Sequence, residues 1–188
     1  MASRLIAFAK SLLVIGLLGV VFLGWFLYSG LYPISADTPH SKLTFWALET
    51  LRENSVARAA KEIEVPADLG AVSRLLAGGP DYNEMCSGCH LRPGRVKSDF
   101  TQGLYPAPPN LTLAESEAKT DVSQRRREHF WIIKHGIKAS GMPAWGATHD
   151  DDRIWNMVAF LERLPELSPA QYQVLTARED DGAGEHHE

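Results

Sequence analysis

An uncharged apolar run opens the chain. From Leu12 to Tyr32 no residue carries a charge, and the run has the roughly 20 residues a helix needs to cross a bilayer core. Arg4 and Lys10 precede it, and the first charge after it is Asp37. That bias puts the N-terminus in the cytoplasm and everything after Pro33 on the far side, with Trp25, Tyr28 and Tyr32 toward the outer interface. A cleaved signal peptide is the rival reading. Its apolar core is shorter, about 7–15 residues, and Ile34-Ser35-Ala36 makes a poor cleavage site because Ile34 is large. Residues 1–36 are therefore expected to remain as a membrane anchor.

Beyond Pro33 the pattern becomes helical. Thr38-Pro39 reads as the start of a helix from about Pro39 to Ile63, with Leu43, Trp46, Ala47 and Leu51 on one side and Val56, Ala59, Ala60 and Ile63 farther on. Its broad apolar stripe has three possible settings: its own domain, the membrane or a partner subunit. Residues 37–66 read as an amphipathic spacer ended by Val65-Pro66. Asp68 then reads as the cap of a helix over Leu69–Ala77, with Gly78-Gly79-Pro80 as its stop. Asp81 reads as the cap of the next helix, through Tyr82 and Met85.

Leu91 to Thr120 is rich in Pro and Gly and reads as irregular, an unusual length for a loop inside a domain. Ser123–His135 reads as a helix ended by Gly136. Asp150 caps the last strong helix, Asp151–Leu164, whose apolar side carries Ile154, Trp155, Val158, Leu161 and Leu164. Pro165 ends it, and Ser168-Pro169 starts a short turn through Tyr172. No strand alternation appears, so the expected fold class is all-α.

Charge changes this picture at one end only. The net charge is -4. From Thr176 to Glu188 there is one base, Arg178, and five acids, Glu179, Asp180, Asp181, Glu185 and Glu188. The rest of the chain is thus near neutral, and nothing in it points to nucleic acid. Residues 174–188 have too little apolar surface for a core and are expected to form an acidic disordered tail, with His186 and His187 solvated in it.

The candidate chemistry lies at Cys86-Ser87-Gly88-Cys89-His90, which holds the only two cysteines. A disulfide here would close a very small, strained loop. A thioredoxin-like pair expects a βαβ setting, and a zinc site needs four ligands. The C-x-x-C-H spacing fits a c-type haem. Residues three apart share a helix face, so both thiols meet the vinyl groups of one porphyrin while His90 aims a ring nitrogen at the iron. One covalent haem c is the expected cofactor, and its porphyrin supplies the core that the 91–120 stretch lacks.

A second axial ligand must come from elsewhere. Met85 lies on the attachment side, Met157 belongs to an apolar helix face and Met1 is cytoplasmic. Met142 sits in Gly141-Met142-Pro143, where the proline favours extended backbone, in a loop bracketed by Gly136 and Gly141. About fifty residues separate it from His90, enough to reach the other haem face. His90 and Met142 are the expected iron ligands, a pair that raises the potential. His129 and His135 are the alternatives, and a gap-filling Met142 is the plain one. Arg125-Arg126-Arg127 with Lys134 and Lys138 forms either a basic side that steers an acidic partner or a solvated face offset by Glu128. Tyr105 is a candidate for a haem propionate edge.

From Leu69 to Tyr172 the chain resembles a class I c-type cytochrome. The resemblance rests on Cys86-x-x-Cys89-His90, then Pro108-Pro109-Asn110-Leu111, then Gly141-Met142-Pro143-Ala144-Trp145-Gly146. It implies a small cytochrome c helical domain, residues 67–173, around one haem. It also implies that the first and last helices cross, here Asp81–Cys89 and Asp151–Leu164, with Tyr82 and Trp155 as contacts. It further implies that the Pro109 carbonyl accepts the ring N–H of His90, and a ligating His needs such an acceptor on chemical grounds as well. Pro108 stands where Gly is usual, and the run from His90 to Pro109 is longer than usual.

The implied function is single-electron transfer between respiratory or dehydrogenase redox proteins, with no small-molecule substrate and no catalysis. The carrier would be tethered to the bacterial inner membrane with its haem domain in the periplasm. The alternatives are a fixed haem subunit of a larger membrane oxidoreductase and a haem enzyme or gas sensor with a displaceable distal ligand.

Overall fold

A computed structural model describes residues 2–114 and 121–178 and divides the chain into two units, 1–38 and 39–188. The first unit holds helix α1 (Ala2–Ser29), which is long and apolar enough to cross a membrane. It ends before Tyr32, earlier than the apolar pattern implies. Gly30 takes φ +66°, the left-handed conformation that closes helices, so the helix stops at the glycine and not at Pro33.

In the second unit, α2 (Lys42–Ala60) starts later than the Thr38-Pro39 reading. Ser41 caps it by accepting the Thr44 N–H at 3.2 Å, while the Thr38 N–H closes a turn on the Ser35 carbonyl. Pro39 thus precedes the helix. The C-terminal half of α2 packs on its own domain through buried Val56 and Ala60. Its N-terminal half leaves Leu43, Trp46 and Leu51 72%, 63% and 67% exposed.

The next helix corrects three expectations. α3 (Val72–Asp81) runs through Gly78-Gly79-Pro80, where a stop was expected. Packing overrides propensity here. Gly78 and Gly79 are buried, and an added Cβ would run into the Asn156 and Leu175 carbonyls respectively. Both glycines thus serve close backbone approach at the crossing with α7 (Asp151–Arg163) and beside the C-terminal helix α8 (Pro169–Leu175). Asp68 caps nothing and instead pairs with Arg74 at 3.1 Å. Asp81 starts no helix either. It ends α3, which passes directly into a π turn (Tyr82–Cys86) and the short α4 (Ser87–His90).

The stretch expected to be irregular contains α5 (Asp99–Gly103), held by a reciprocal Ser98–Thr101 capping box. α6 (Val122–His135) is capped by Asp121 and closed by Gly136 at φ +64°. Asp150 caps α7, as its sequence position implies, accepting the Arg153 N–H at 2.8 Å. A 3-10 turn over Leu164–Glu166 contains Pro165, and α8 extends the expected short turn to Leu175. Residues 174 and 175 are thus helical. The acidic tail from Glu179 on, with His186 and His187, lies outside the described residues, as do residues 115–120.

Two buried clusters form the core. One holds Leu69, Phe130, Ile133, Ile154, Trp155, Met157 and Val158, with Met85 and Met142 against it. The other holds Tyr82, Phe160, Leu164 and Tyr172. Each buried large side chain contributes about 1.5–3 kcal/mol. Tyr82 and Trp155, the expected contact pair, pack on different partners. Tyr82 meets Phe160 at 5.3 Å, and Trp155 stacks on Phe130 at 4.3 Å. The helix that crosses α7 is α3, so the crossing lies just before the segment named from sequence. The described residues are all-α, with no strand.

Candidate haem site

The attachment turn is built by a change of helical pitch. After Asp81 the backbone widens into the π turn, whose last step carries the Ser87 N–H to the Tyr82 carbonyl. Single π turns inside α-helices recur at functional sites. Cys86 ends the widened turn and Cys89 follows in α4. Both thiols are free and half-buried. The chain then leaves sharply, with Leu91 at φ +69°, a conformation rarely taken by a branched residue. Three bonds hold that reversal. The Tyr82 hydroxyl donates to the Leu91 carbonyl at 2.7 Å, the Leu91 N–H donates to the Ser87 carbonyl at 3.0 Å, and the Ser87 hydroxyl donates to the Asn83 carbonyl at 2.7 Å.

Burial, aided by the Asp81 and Cys89 charges, pushes the Cys86 thiol up to about 12. A thiol held protonated is a poor redox thiolate. Burial also holds the His90 imidazole below its ordinary range, against the opposing pull of the Pro109 carbonyl. That direction favours the neutral ring, the form that binds iron. His90 Nδ1 lies 2.9 Å from the Pro109 carbonyl oxygen, so Nδ1 must carry the proton and Nε2 keeps its lone pair. The Leu111 N–H donates to the His90 carbonyl at 3.2 Å, a second tie between the same two segments.

Met142 comes from the loop after α6. Its N–H donates to the Ser140 hydroxyl at 3.1 Å, and its carbonyl accepts the Ile137 N–H at 3.2 Å. A Cβ on Gly136 would strike the Met142 carbonyl, so glycine is required there for close approach as well as for its positive φ. Leu104, from the segment leading to Pro109, packs on Gly141. The fold thus brings Cys86, Cys89, His90 and Pro109 together, and sets Met142 on a separate loop against the core cluster that Met85 also touches.

Other candidates are placed elsewhere. His135 is exposed beside Trp131, with ring centroids 5.0 Å apart. Arg126 pairs with Glu162 at 2.5 Å and Lys134 with Asp151 at 2.6 Å, so two of the five bases read from sequence as a basic side are neutralised. The Tyr105 hydroxyl accepts the His40 backbone N–H at 3.1 Å. Sequence reading missed Ser98 and Phe100. The Ser98 hydroxyl donates to the Gly88 carbonyl at 2.7 Å, and the Phe100 ring lies against Gly88. Only the capping potential of Ser98-Asp99 hinted at them.

The donor set fits haem c. Two unbridged thiols at C-x-x-C spacing adjoin a neutral imidazole whose Nδ1 is already engaged, and a thioether is fixed on a second loop. Among the described residues no group of three or more His, Cys, Asp or Glu gathers to hold a bare metal ion. These are the features of a c-type cytochrome domain. Residues 73–161 match the family model described as cytochrome C oxidase, cbb3-type, subunit III, and this segment is a c-type cytochrome domain, a haem-binding electron-transfer unit. No curated protein and no solved structure matches the chain.

Proposed function

We propose that the protein is a membrane-tethered, monohaem cytochrome c that passes single electrons between respiratory or dehydrogenase partners on the periplasmic side of a bacterial inner membrane. The His90–Pro109 hydrogen bond is the observation that carries this reading, because it leaves one ring nitrogen of a neutral imidazole for iron. Cys86 and Cys89 would hold the haem as thioethers, His90 and Met142 would ligate its iron, and the Pro109 carbonyl would orient His90 and raise its basicity. Bound haem c supplies a reversible one-electron couple. With His90 and Met142 both on the iron, no open position would remain there for a substrate. The test is a haem stain of denatured protein. The full chain is expected to keep the stain and Cys86→Ala with Cys89→Ala to lose it. A stained double variant overturns the attachment.

The family description and the uncovered N-terminal half of α2 favour a second reading, a fixed haem subunit of a larger membrane oxidoreductase. Purification in mild detergent separates the two. Stoichiometric companions mark a subunit, and the single chain marks a free tethered carrier.

A further inference from the structure

The bases expected to steer a partner are partly cancelled, but another set is not. Arg92, Arg95 and Lys97 fall within six residues, directly after His90. All three are exposed, and none forms an ion pair among the described residues. Asp99 is the one acid next to them in sequence. Between them Val96 is 85% exposed, and Phe100 just beyond is 57% exposed. The surface is therefore an apolar centre with a cationic rim, the composition of a protein-binding patch and not of a solvated loop.

Its position matters as much as its charge. The Ser98–Gly88 hydrogen bond and the Phe100–Gly88 contact fasten the loop to the attachment turn itself. Arg95 N–H to Arg92 carbonyl, at 2.9 Å, folds the loop into a turn. Three cations without an ion pair set a positive field beside the Cys86–His90 turn, whereas Arg126 and Lys134 face acids on α7.

We propose that the Arg92–Lys97 loop is the docking surface of the haem domain and that it receives an acidic protein surface with an apolar centre. The proposal rests on the electron-transfer reading above. Long-range attraction speeds encounter by roughly 10- to 1000-fold at low salt and fades as salt screens it. The apolar centre then seats the partner once it arrives.

The test uses the full chain with haem, purified in mild detergent. The reduced protein is mixed at low ionic strength with ferricyanide, a trianion, or with tris(phenanthroline)cobalt(III), a trication. A third oxidant is an acidic blue-copper protein, the macromolecular probe. In Arg92→Glu/Arg95→Glu/Lys97→Glu the ferricyanide and blue-copper rates are expected to fall about tenfold or more and the cobalt rate to rise. The same reversal elsewhere, Arg58→Glu/Lys61→Glu, is expected to leave all three within about twofold. Unchanged rates in the triple variant, or a fall with all three oxidants alike, overturn the proposal.

Nanodiscs address lipid as the occupant. If phosphatidylglycerol, but not phosphatidylcholine, brings the wild-type ferricyanide rate down to that of the variant, headgroups cover the loop and the protein partner is overturned. Haem absorbance and reduction by dithionite are recorded first. Their failure defeats the electron-transfer reading itself, whereas intact haem with an unmoved rate defeats only the docking surface.

Discussion

Gly78 faces the backbone carbonyl of Asn156 so closely that no side-chain carbon fits between them. This contact sets the approach of α3 to α7, and it lies within one turn of the π turn that carries Cys86. Gly78→Ala is expected to force the helices apart at a cost of about 1–3 kcal/mol. Gly70, which has open space around it, provides the control. Gly70→Ala is expected to stay within about 0.5 kcal/mol of wild type in denaturant unfolding.

Asp81 is buried between two guanidinium groups, Arg153 at 2.6 Å and Arg178 at 3.2 Å. Removing one partner of a fully buried ion pair costs about 3–5 kcal/mol. Both arginines are about half exposed here, and water recovers part of that. Asp81→Ala is expected to lose about 1–3 kcal/mol, read as a lower unfolding midpoint at unchanged m-value.

Tyr82 is the fully buried hinge of the attachment turn, and its hydroxyl donates to the Leu91 carbonyl. Burial raises its phenol well above the ordinary range. The unfolded phenol ionises near pH 10, about as in a free peptide, so its contribution to stability is whole below that pH and is lost as pH rises above it. Tyr82→Phe is expected to cost about 1–2 kcal/mol at neutral pH. Its stability is also expected to fall less steeply than wild type above pH 10 in denaturant titrations.

Met142→Ala is expected to lower the reduction potential, remove the weak far-red absorbance of sulfur–iron charge transfer and admit carbon monoxide to the reduced protein. Met157→Leu, inside the core cluster, is expected to change none of these and to cost under about 1.5 kcal/mol. A spectrum unaltered in Met142→Ala removes Met142 from the iron.

The elements that sequence reveals here are those set by local chemistry. Asp150 and Gly136 mark their helix ends because one side-chain oxygen and one positive φ decide the outcome. C-x-x-C-H and Met-Pro stand out because each needs few residues at fixed spacing. Gly78-Gly79-Pro80 misleads for the opposite reason. A glycine pair that stops an isolated helix is the pair that lets α3 touch α7, and only the tertiary contact tells the two uses apart. Asp68 and Asp81 misled likewise, since an acid before a helix looks the same whether it caps or pairs with a distant arginine. The pairing of Arg126 and Lys134, which takes two bases out of the side read from sequence, depends on partners 36 and 17 residues away. α5 was hidden because its capping box closes with threonine and not with glutamate.

On the tethered reading proposed above, the bond from His40 to Tyr105 shortens the free link between α1 and the haem domain. It fastens the chain at His40, so only residues 30–39 remain as a leash beyond α1. Ten residues reach at most about 35 Å. A hemisphere of that radius holds one molecule at a concentration on the order of 10 mM. A partner embedded within that circle of membrane needs no tight complex to be served, and a contact that lets go quickly suits repeated turnover better. A partner anchored farther away is served only if the two diffuse together in the plane of the lipid. Lengthening the leash with glycine and serine should therefore leave a neighbouring partner slower to be reduced and a distant one no faster.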